Sequence, residues 1–523
     1  MRNIIILCTV LLIAITALAS KYFSALAGKD NNLSTVLNFT PADAAFVLSF
    51  KNDESFFEIF KDYELFDAII GDEQFQELNQ VKNILNHPAF AEATIDKNIF
   101  LSCHLVSTDA EFLYSMNLDP QYSAGDLHEF FLKIPDVTVE GLSQNVYRLN
   151  FKSYQKPFYV FIQKGAAIGS FSNTLLQNCL QEKSARLNKT FVDEIVKTST
   201  KNLNSPVNLF INHSALPAFL SHFNRSKTPE NLSLLSDLKG FSSLSMNFKS
   251  DALMFNGLSS TEVASKNYLN LFLNQKPIQN DIKKVLPENT SNFIAFGMSD
   301  AKRFRRDLKN YLNERNELKK LEEQFQRIQN STGVSPDRDI KPFLDKEFVL
   351  IENSYGEKFA LIKVTNGRNI NMKLQLISNA LNEKVSQLNY GDLFYYYFGE
   401  PLKSFRRPYF GVTDNYLIIA NTPGIISNYI STYENDRLLV NTNQFKDYDQ
   451  LVANQSNILY FVNRKNFKRL ASSKLKPKYA EPFCQEDRFN KFYGFSYQWT
   501  SDGDHFFTNL YLSYNSADSL TLK

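Results

Sequence analysis

Tryptophan is almost missing from this chain: 523 residues carry Trp 1 against Phe 46 and Tyr 25. Cysteine is scarce as well, at Cys 4. Cys8 falls inside an apolar N-terminal run, which leaves Cys103, Cys179 and Cys484. An odd number without close spacing does not describe a disulfide framework. One bridge between two of the three stays open, but buried thiols acting as small hydrophobes are the simpler reading. The histidines are His87, His104, His128, His213, His222 and His505. They form no H-E-x-x-H, and no two stand one helical turn apart as paired ligands do. His213 and His222 flank the helix-like stretch SALPAFLSHF, and even there no metal is expected.

Other absences exclude named chemistries. No G-x-x-x-x-G-K-[ST] loop cradles a phosphate, and no G-x-G-x-x-G enters a helix. No G-x-S-x-G elbow presents a nucleophile; Gly169-Ser170-Phe171-Ser172 reads as a strand end and N-cap before the helix at Thr174–Leu180. No loop has the acidic spacing of an EF-hand. Carboxylate pairs are always available among 55 acids, so none can be singled out. No catalytic, cofactor-binding or metal-ligating residue can therefore be named. A non-enzymatic protein is the expectation, and a hydrolase whose site is not visible as a motif is the remote alternative. Lys+Arg 57 against Asp+Glu 55 gives a net +2, too balanced for a nucleic-acid partner. A mean hydropathy of −0.29 excludes a polytopic membrane protein. The 43% hydrophobic and 21% charged fractions exclude wholesale disorder and collagen-like structure.

What is present begins with a leader. Arg2 precedes Ile4–Ala19 (IIILCTVLLIAITALA), an unbroken apolar run of sixteen residues. Small-residue cleavage patterns follow at Ala17-Leu18-Ala19 and Ala25-Leu26-Ala27. A membrane span takes about 20 residues, so the run is short for a span and long for a signal peptide. Lys21, Tyr22 and Phe23 would serve as interfacial anchors for an uncleaved helix. Residues 1–29 thus read as a signal peptide or a signal anchor. Either places the rest of the chain outside the cytoplasm, at the periplasm or the outer face of the inner membrane. Cys8 lacks the Leu-x-x-Cys setting of a lipid-anchored cysteine. N-x-[ST] sequons at Asn38, Asn188, Asn212 and Asn289 are expected by chance in so Asn-rich a chain.

The aromatic excess has a pattern. PADAAFVLSF from Pro41 and PENTSNFIAF from Pro287 stand 246 residues apart. Each runs through an acid, Asp53 or Asp300, toward a helix carrying Phe57 or Phe304. Phe100 and Phe112 bracket a hairpin-like stretch, as Phe348 and Phe359 do, at offsets of 248 and 247. PFYVFIQKGAAIGS from Pro157 leads to Leu175 and Leu176, and PYFGVTDNYLIIAN from Pro408 leads to Ile425 and Ile426. LFIN at Leu209 matches YFVN at Tyr460, offset 251, and GFS at Gly240 matches GFS at Gly494, offset 254. The common order and slow drift of offset indicate an internal duplication with short loop indels.

Short Phe/Tyr/Val/Ile-rich strands in hairpins argue for antiparallel pairing. The expected class is α+β: two tandem, duplicated lobes, each an antiparallel sheet with packed helices, after the N-terminal apolar helix. The first lobe spans 30–274, the second 283–515 and a tail 516–523, with the boundary in the polar stretch Gln275–Ile282. Helices are expected over Glu54–Ile70, Ala124–Leu132, Asn173–Leu180, Met372–Leu388 and Ile425–Tyr433. A long helix is expected from Asp300 to Asn330, where Phe304, Tyr311, Leu318 and Phe325 recur every seven residues. Leu321 and Ile328 share its seam, and the stripe covers a sheet or, alternatively, protrudes as a coiled coil. The clearest binding feature is basic: Arg464, Lys465, Lys468, Arg469, Lys474, Lys476 and Lys478 follow one another without an acid. Arg406 and Arg407 add two cations elsewhere. Such a stretch suits an anionic lipid surface or an acidic partner, or is a solvated face.

The segment PADAAFVLSFKNDESFFEIF after an apolar leader resembles uncharacterised, signal-anchored envelope proteins of Bacteroidetes-type bacteria, classed as a domain of unknown function. The resemblance covers the leader and about forty residues. It implies location in the cell envelope and carries over no catalytic residue. The expectation is a binding or scaffolding module with an envelope protein or lipid partner and a membrane contact through the leader. A carrier or chaperone for an apolar ligand is the alternative. Fractionation with N-terminal sequencing tests the leader: an intact Met1 in the membrane fraction is expected of the anchor, and a chain starting at Ser20 or Gly28 refutes it.

Overall fold

A computed structural model describes residues 33–53, 72–107, 109–119, 121–163, 165–201, 205–226, 234–249, 252–484 and 492–514. The leader, the helix expected over Glu54–Ile70 and the tail lie outside the described residues. Among the described residues no helix is long and apolar enough to cross a membrane. The class is α+β, antiparallel throughout its strand pairings. The chain packs as two units, Met1–Ala215 and Leu216–Lys523.

In the first unit the strands are β1 (Phe46–Lys51), β2 (Asn98–Val106), β3 (Asp109–Asn117), β4 (Val137–Ser143), β5 (Val146–Phe151), β6 (Phe158–Gln163), β7 (Ala166–Ser170) and β8 (Val207–Asn212). They pair in the order β8-β1-β2-β3-β7-β6-β5-β4. The helices are α1 (Asp72–Leu85), α2 (Pro88–Thr94), α3 (Ala124–Leu132), α4 (Asn173–Leu180) and α5 (Lys189–Lys201). Two of them start at a side-chain cap, the second of them in the stretch the sequence reads as an N-cap. The Ser123 hydroxyl accepts from Asp126 N–H at 3.2 Å while the Asp126 carboxylate accepts from Ser123 N–H at 2.7 Å, a capping box. The Ser172 hydroxyl accepts from Leu175 N–H at 3.3 Å at the start of α4. Leu175, Leu176 and Cys179 of α4 then pack on Leu113 and Ile168 of the sheet.

The second unit contains β9 (Gly240–Lys249), β10 (Ala252–Thr261), β11 (Ile278–Gln279), β12 (Thr290–Gly297), β13 (Leu344–Asn353), β14 (Lys358–Val364), β15 (Ser378–Ala380), β16 (Ser386–Leu388), β17 (Tyr409–Thr413), β18 (Tyr416–Ala420), β19 (Gln455–Ser456), β20 (Ile458–Asn463), β21 (Phe492–Ser501) and β22 (Phe506–Tyr514). The main sheet runs β9-β10-β22-β21-β20-β12-β13-β14-β18-β17-β16-β15, and β11 pairs only with β19. The unit border at 215/216 precedes the polar stretch Gln275–Ile282, because the β9–β10 hairpin pairs with β22 along eight residues and so belongs to the second unit's sheet.

The helices of this unit are α6 (Leu216–Phe223), α7 (Ala301–Glu314), α8 (Leu318–Thr332), α9 (Gly367–Gln375), α10 (Leu393–Phe398), α11 (Pro423–Glu434), α12 (Asn443–Asp449), α13 (Arg464–Lys474) and α14 (Pro477–Cys484). Strand segments such as FIAF, FVLI, FALI and LIIA are apolar at successive positions, so both sheet faces need cover. One face, with Phe296, Phe348 and Ile362, packs beneath Phe304, Leu308, Leu321, Phe394 and Phe398. The other, with Phe293, Val349 and Leu361, packs against Ile426, Tyr429, Phe445 and Tyr448.

Two helix expectations need correction. The Asp300–Asn330 stretch is two helices, not one: Asn316 adopts φ 60, in the left-handed region, between α7 and α8. The break lets Phe304 and Tyr311, then Leu321 and Ile328, all reach one core, so the stripe covers a sheet and does not protrude. The second concerns Met372–Leu388. The helix there starts early, capped by Asn366, whose side chain accepts from Asn369 N–H at 2.9 Å, and stops at Gln375. Beyond it β15 and β16 pair as a hairpin at the sheet edge. Met372 and Leu376, apolar in the sequence pattern, are exposed at 52% and 61%, so that face had no core to bury in.

Gly399 ends α10 with φ 74 and ψ −150, a region that is essentially glycine-only. A Cβ there would lie 2.6 Å from the Tyr268 ring and 2.9 Å from Leu308. Gly399→Ala is expected to destabilise the second unit by roughly 1–3 kcal/mol, seen as a lower urea midpoint at unchanged slope; an unchanged midpoint contradicts this account.

Candidate functional site

Where the helical cover of the second unit's sheet stops, a groove of about 310 Å³ remains. Its floor is built by strand register. Ile294 of β12 stands opposite Leu350 of β13 and Tyr460 of β20, giving one apolar row. Two residues along, Asn292 stands opposite Glu352, and Glu352 opposite Lys358, giving a polar row on the same face. Leu234 and the turn after Gly399, with Glu400, Pro401, Lys403 and Ser404, form the wall.

Each end of the groove has its own electrostatics. Glu352 is 4% exposed, and a carboxylate so buried must be paired. It accepts from Asn292 Nδ2 at 3.0 Å and from Lys474 Nζ, which reaches in from α13. Burial, with Glu352 nearby, pushes the Tyr460 phenol up to about 12, so its hydroxyl keeps its proton. At the wall, Glu400 accepts from Tyr311 Oη and Tyr395 Oη, each at 3.3 Å, and lies 3.5 Å from Lys403 Nζ and 3.8 Å from Arg315 Nε. Tyr395 also donates to Glu317. Burial, with Glu400 alongside, holds the Tyr311 phenol above its ordinary range. This network fixes the wall at one position while the floor stays open.

The seven cations singled out in the sequence lie on α13, α14 and their junction, but not as one surface. Lys465, Arg469 and Lys478 are exposed, whereas Arg464, Lys468, Lys474 and Lys476 are half-buried. Lys474 turns inward to Glu352, and Arg469 lies 5.7 Å over the Tyr355 ring. Arg406 and Arg407 are exposed in the turn before β17, a strand that β12, β13, β14 and β18 separate from β20 and α13. Burial pushes the His213 imidazole down to about 3, leaving it neutral, and His222 Nε2 lies 3.2 Å from Tyr479 Oη. Among the described residues no group of three or more His, Cys, Asp or Glu could hold a metal ion. Cys103 and Cys179 are free buried thiols, both pushed up to about 12 by burial; the Cys484 side chain lies outside the described residues.

Sequence reasoning missed one constellation in the first unit. Ser102 Oγ is 2.8 Å from His104 Nε2, and His104 Nδ1 is 2.8 Å from Asp43 Oδ1. The alternation of a strand puts Ser102 and His104 on one face, a signal present in the sequence. Asp43 arrives only through the fold. The order is that of a nucleophile, base and acid, but a nucleophile must meet its substrate. Ser102 is 2% exposed and His104 0%. Ser102 also stands opposite Leu113, which α4 covers. The trio is a hydrogen-bonded strap between β2 and the segment before β1, its serine and histidine buried and its Asp43 carboxylate at the surface. A fluorophosphonate probe is expected to leave Ser102 unmodified, and Ser102→Ala to cost roughly 1–3 kcal/mol by stranding a buried partner. Stoichiometric labelling at Ser102 would reinstate the hydrolase.

No family model matches the chain, and no curated protein matches it. Among solved structures it is similar to TP0453 in three crystal forms. Form IV is 12% identical over 43% of this chain and 79% of that chain, form III 13% over 45% and 84%, and form I 14% over 46% and 83%, each at a TM-score of 0.25. At that score the likeness decides neither fold nor function.

Proposed function

We propose that this protein is a non-enzymatic envelope protein, exported and held at the extracytoplasmic face by residues 1–29, that works as a binding module through the groove on its second sheet. One observation carries the reading: an open groove of about 310 Å³ with an apolar floor and one polar end, within the size range of small-molecule sites. The same observation favours the carrier for an apolar ligand as the second reading. The resemblance to signal-anchored envelope proteins supports the location, and the apolar leader supports the anchor.

The reading includes two related lobes, and strand order supports it. The succession β8-β1-β2-β3-β7-β6-β5-β4 has a counterpart in β20-β12-β13-β14-β18-β17-β16-β15. Register agrees: Leu48 stands opposite Leu101 and Leu209, as Ile294 stands opposite Leu350 and Tyr460. On this register the β2/β13 offset is 249, one more than the Phe100/Phe348 match. That step matters, because one residue exchanges the two faces of a strand.

Native mass spectrometry of the protein extracted from its envelope in mild detergent tests the binding role. A retained small-molecule or protein mass is the expected result. Recovery of the bare chain alone, across several detergents, overturns both binding readings.

A further inference from the structure

We infer that the groove takes an uncharged single-chain amphiphile with a hydroxyl head, a long-chain alcohol in chemical class, its chain along Ile294 and Leu350 and its head between Asn292 and Tyr460. The inference rests on the binding role proposed above and gives it a ligand class.

Every charge on the groove's lining is engaged. The lining carries two carboxylates, Glu352 and Glu400, and two ammonium groups, Lys358 and Lys403. Glu352 accepts from Asn292 and Lys474, and Glu400 is held by Tyr311, Tyr395, Lys403 and Arg315. Lys403 Nζ also lies 3.3 Å from Glu317 Oε1, and Lys358 has a partner of its own. A charged head would lose water without gaining a counter-ion, or would have to break a pair already made.

What the polar end presents to a ligand is neutral. A carboxylate paired with an ammonium only accepts, so the side of the Asn292 amide facing Glu352 is Nδ2, and Oδ1 is left as an acceptor. Tyr460 stands opposite Ile294, one diagonal step from Asn292 on the same face. Its hydroxyl keeps its proton, and among the described residues nothing hydrogen-bonds to it. An acceptor beside a group that both donates and accepts suits an alcohol, which gives its O–H to one and takes a hydrogen bond from the other. The volume, about 310 Å³, sits at the low end for ligand sites and suits one chain, not two.

The matching positions of the first unit sharpen the point. Register sets Phe46 opposite Cys103 and Cys103 opposite Phe112, where the second unit has Asn292, Glu352 and Lys358. A sheet of this order is therefore built without the polar row, and an apolar replacement of buried charge is often neutral or stabilising. Stability does not call for Asn292 and Glu352. Recognition of a polar head does, and one site per chain is expected.

The full chain in lipid nanodiscs is photolabelled with a diazirine-bearing dodecanol, and the labelled peptides are mapped by mass spectrometry. Labelling of the strands that carry Ile294, Leu350 and Tyr460 is expected. Unlabelled 1-dodecanol should displace it at roughly tenfold lower concentration than dodecanoate or dodecylamine. Tyr460→Phe keeps the ring, removes the hydroxyl and should weaken dodecanol roughly fivefold. Ser404→Phe, on the wall, should block labelling of the floor, and Lys465→Glu, on the exposed side of α13, should change nothing. Displacement by dodecanoate or dodecylamine as effective as by dodecanol, unaltered by Tyr460→Phe, overturns the alcohol inference while leaving the binding role intact. If none of the three displaces label from the floor, the ligand class is overturned, and a bare chain in native mass spectrometry then removes the binding role as well.

Discussion

The second unit depends on one constraint: its central strands are apolar on both faces, so both faces must be covered. Phe296 stacks on Phe348 with ring centroids 4.7 Å apart, and Phe348 in turn meets Phe398 at 4.7 Å. Each buried aromatic or aliphatic side chain is worth about 1.5–3 kcal/mol relative to exposure. No single layer of helices can satisfy two faces, which is why α7, α8 and α10 lie on one and α11 and α12 on the other. The break at Asn316 and the glycine-only turn at Gly399 follow from that need. Both bend the chain sharply enough to keep aromatic side chains over the sheet.

The groove is the complement of that cover. Ile294, Leu350 and Tyr460 belong to the same face as Phe296 and Phe348, but they are only partly buried and line the groove. The floor is core-like in composition and surface-like in access. Its polar row is then unexpected on stability grounds, since Glu352 has to be desolvated and compensated by Asn292 and Lys474. The Ser102–His104–Asp43 trio in the first unit makes the opposite case. There the polar groups are satisfied by one another, and although Asp43 reaches the surface, Ser102 and His104 are closed off from it. Pairing of chemically suggestive side chains is therefore a weaker guide to a site than the access they share.

What could be read from the sequence and what could not divide along physical lines. Strands, hairpins, helices and the α+β class are local: Ser172 announces its helix, and FALI and LIIA are apolar at successive positions, as strands covered on both faces are. The Asp300–Asn330 stripe was legible as a core-facing surface, because its spacing reflects burial. Its division at Asn316 was not, because a left-handed Asn costs too little to leave a mark in the sequence. Met372–Leu388 misled for the converse reason, an apolar pattern at a sheet edge with no partner to bury it. The seven cations were legible as a cluster in the chain, and the inward turn of Lys474 was not, since Glu352 lies 122 residues away.

The sequence by itself determined the antiparallel α+β class, most of the elements and the lack of any catalytic or metal motif, and it carries the expectation of a leader and export. Those follow from periodicity, capping and composition, which act within a few residues. Only the tertiary structure decided where the cover of the sheet stops, which row of the floor is polar, that Lys474 neutralises Glu352, and that Ser102 is closed off. Each of these depends on side chains brought together by strand register across long separations. Register sets which side chains share a face and a row, and no spacing in the chain displays it.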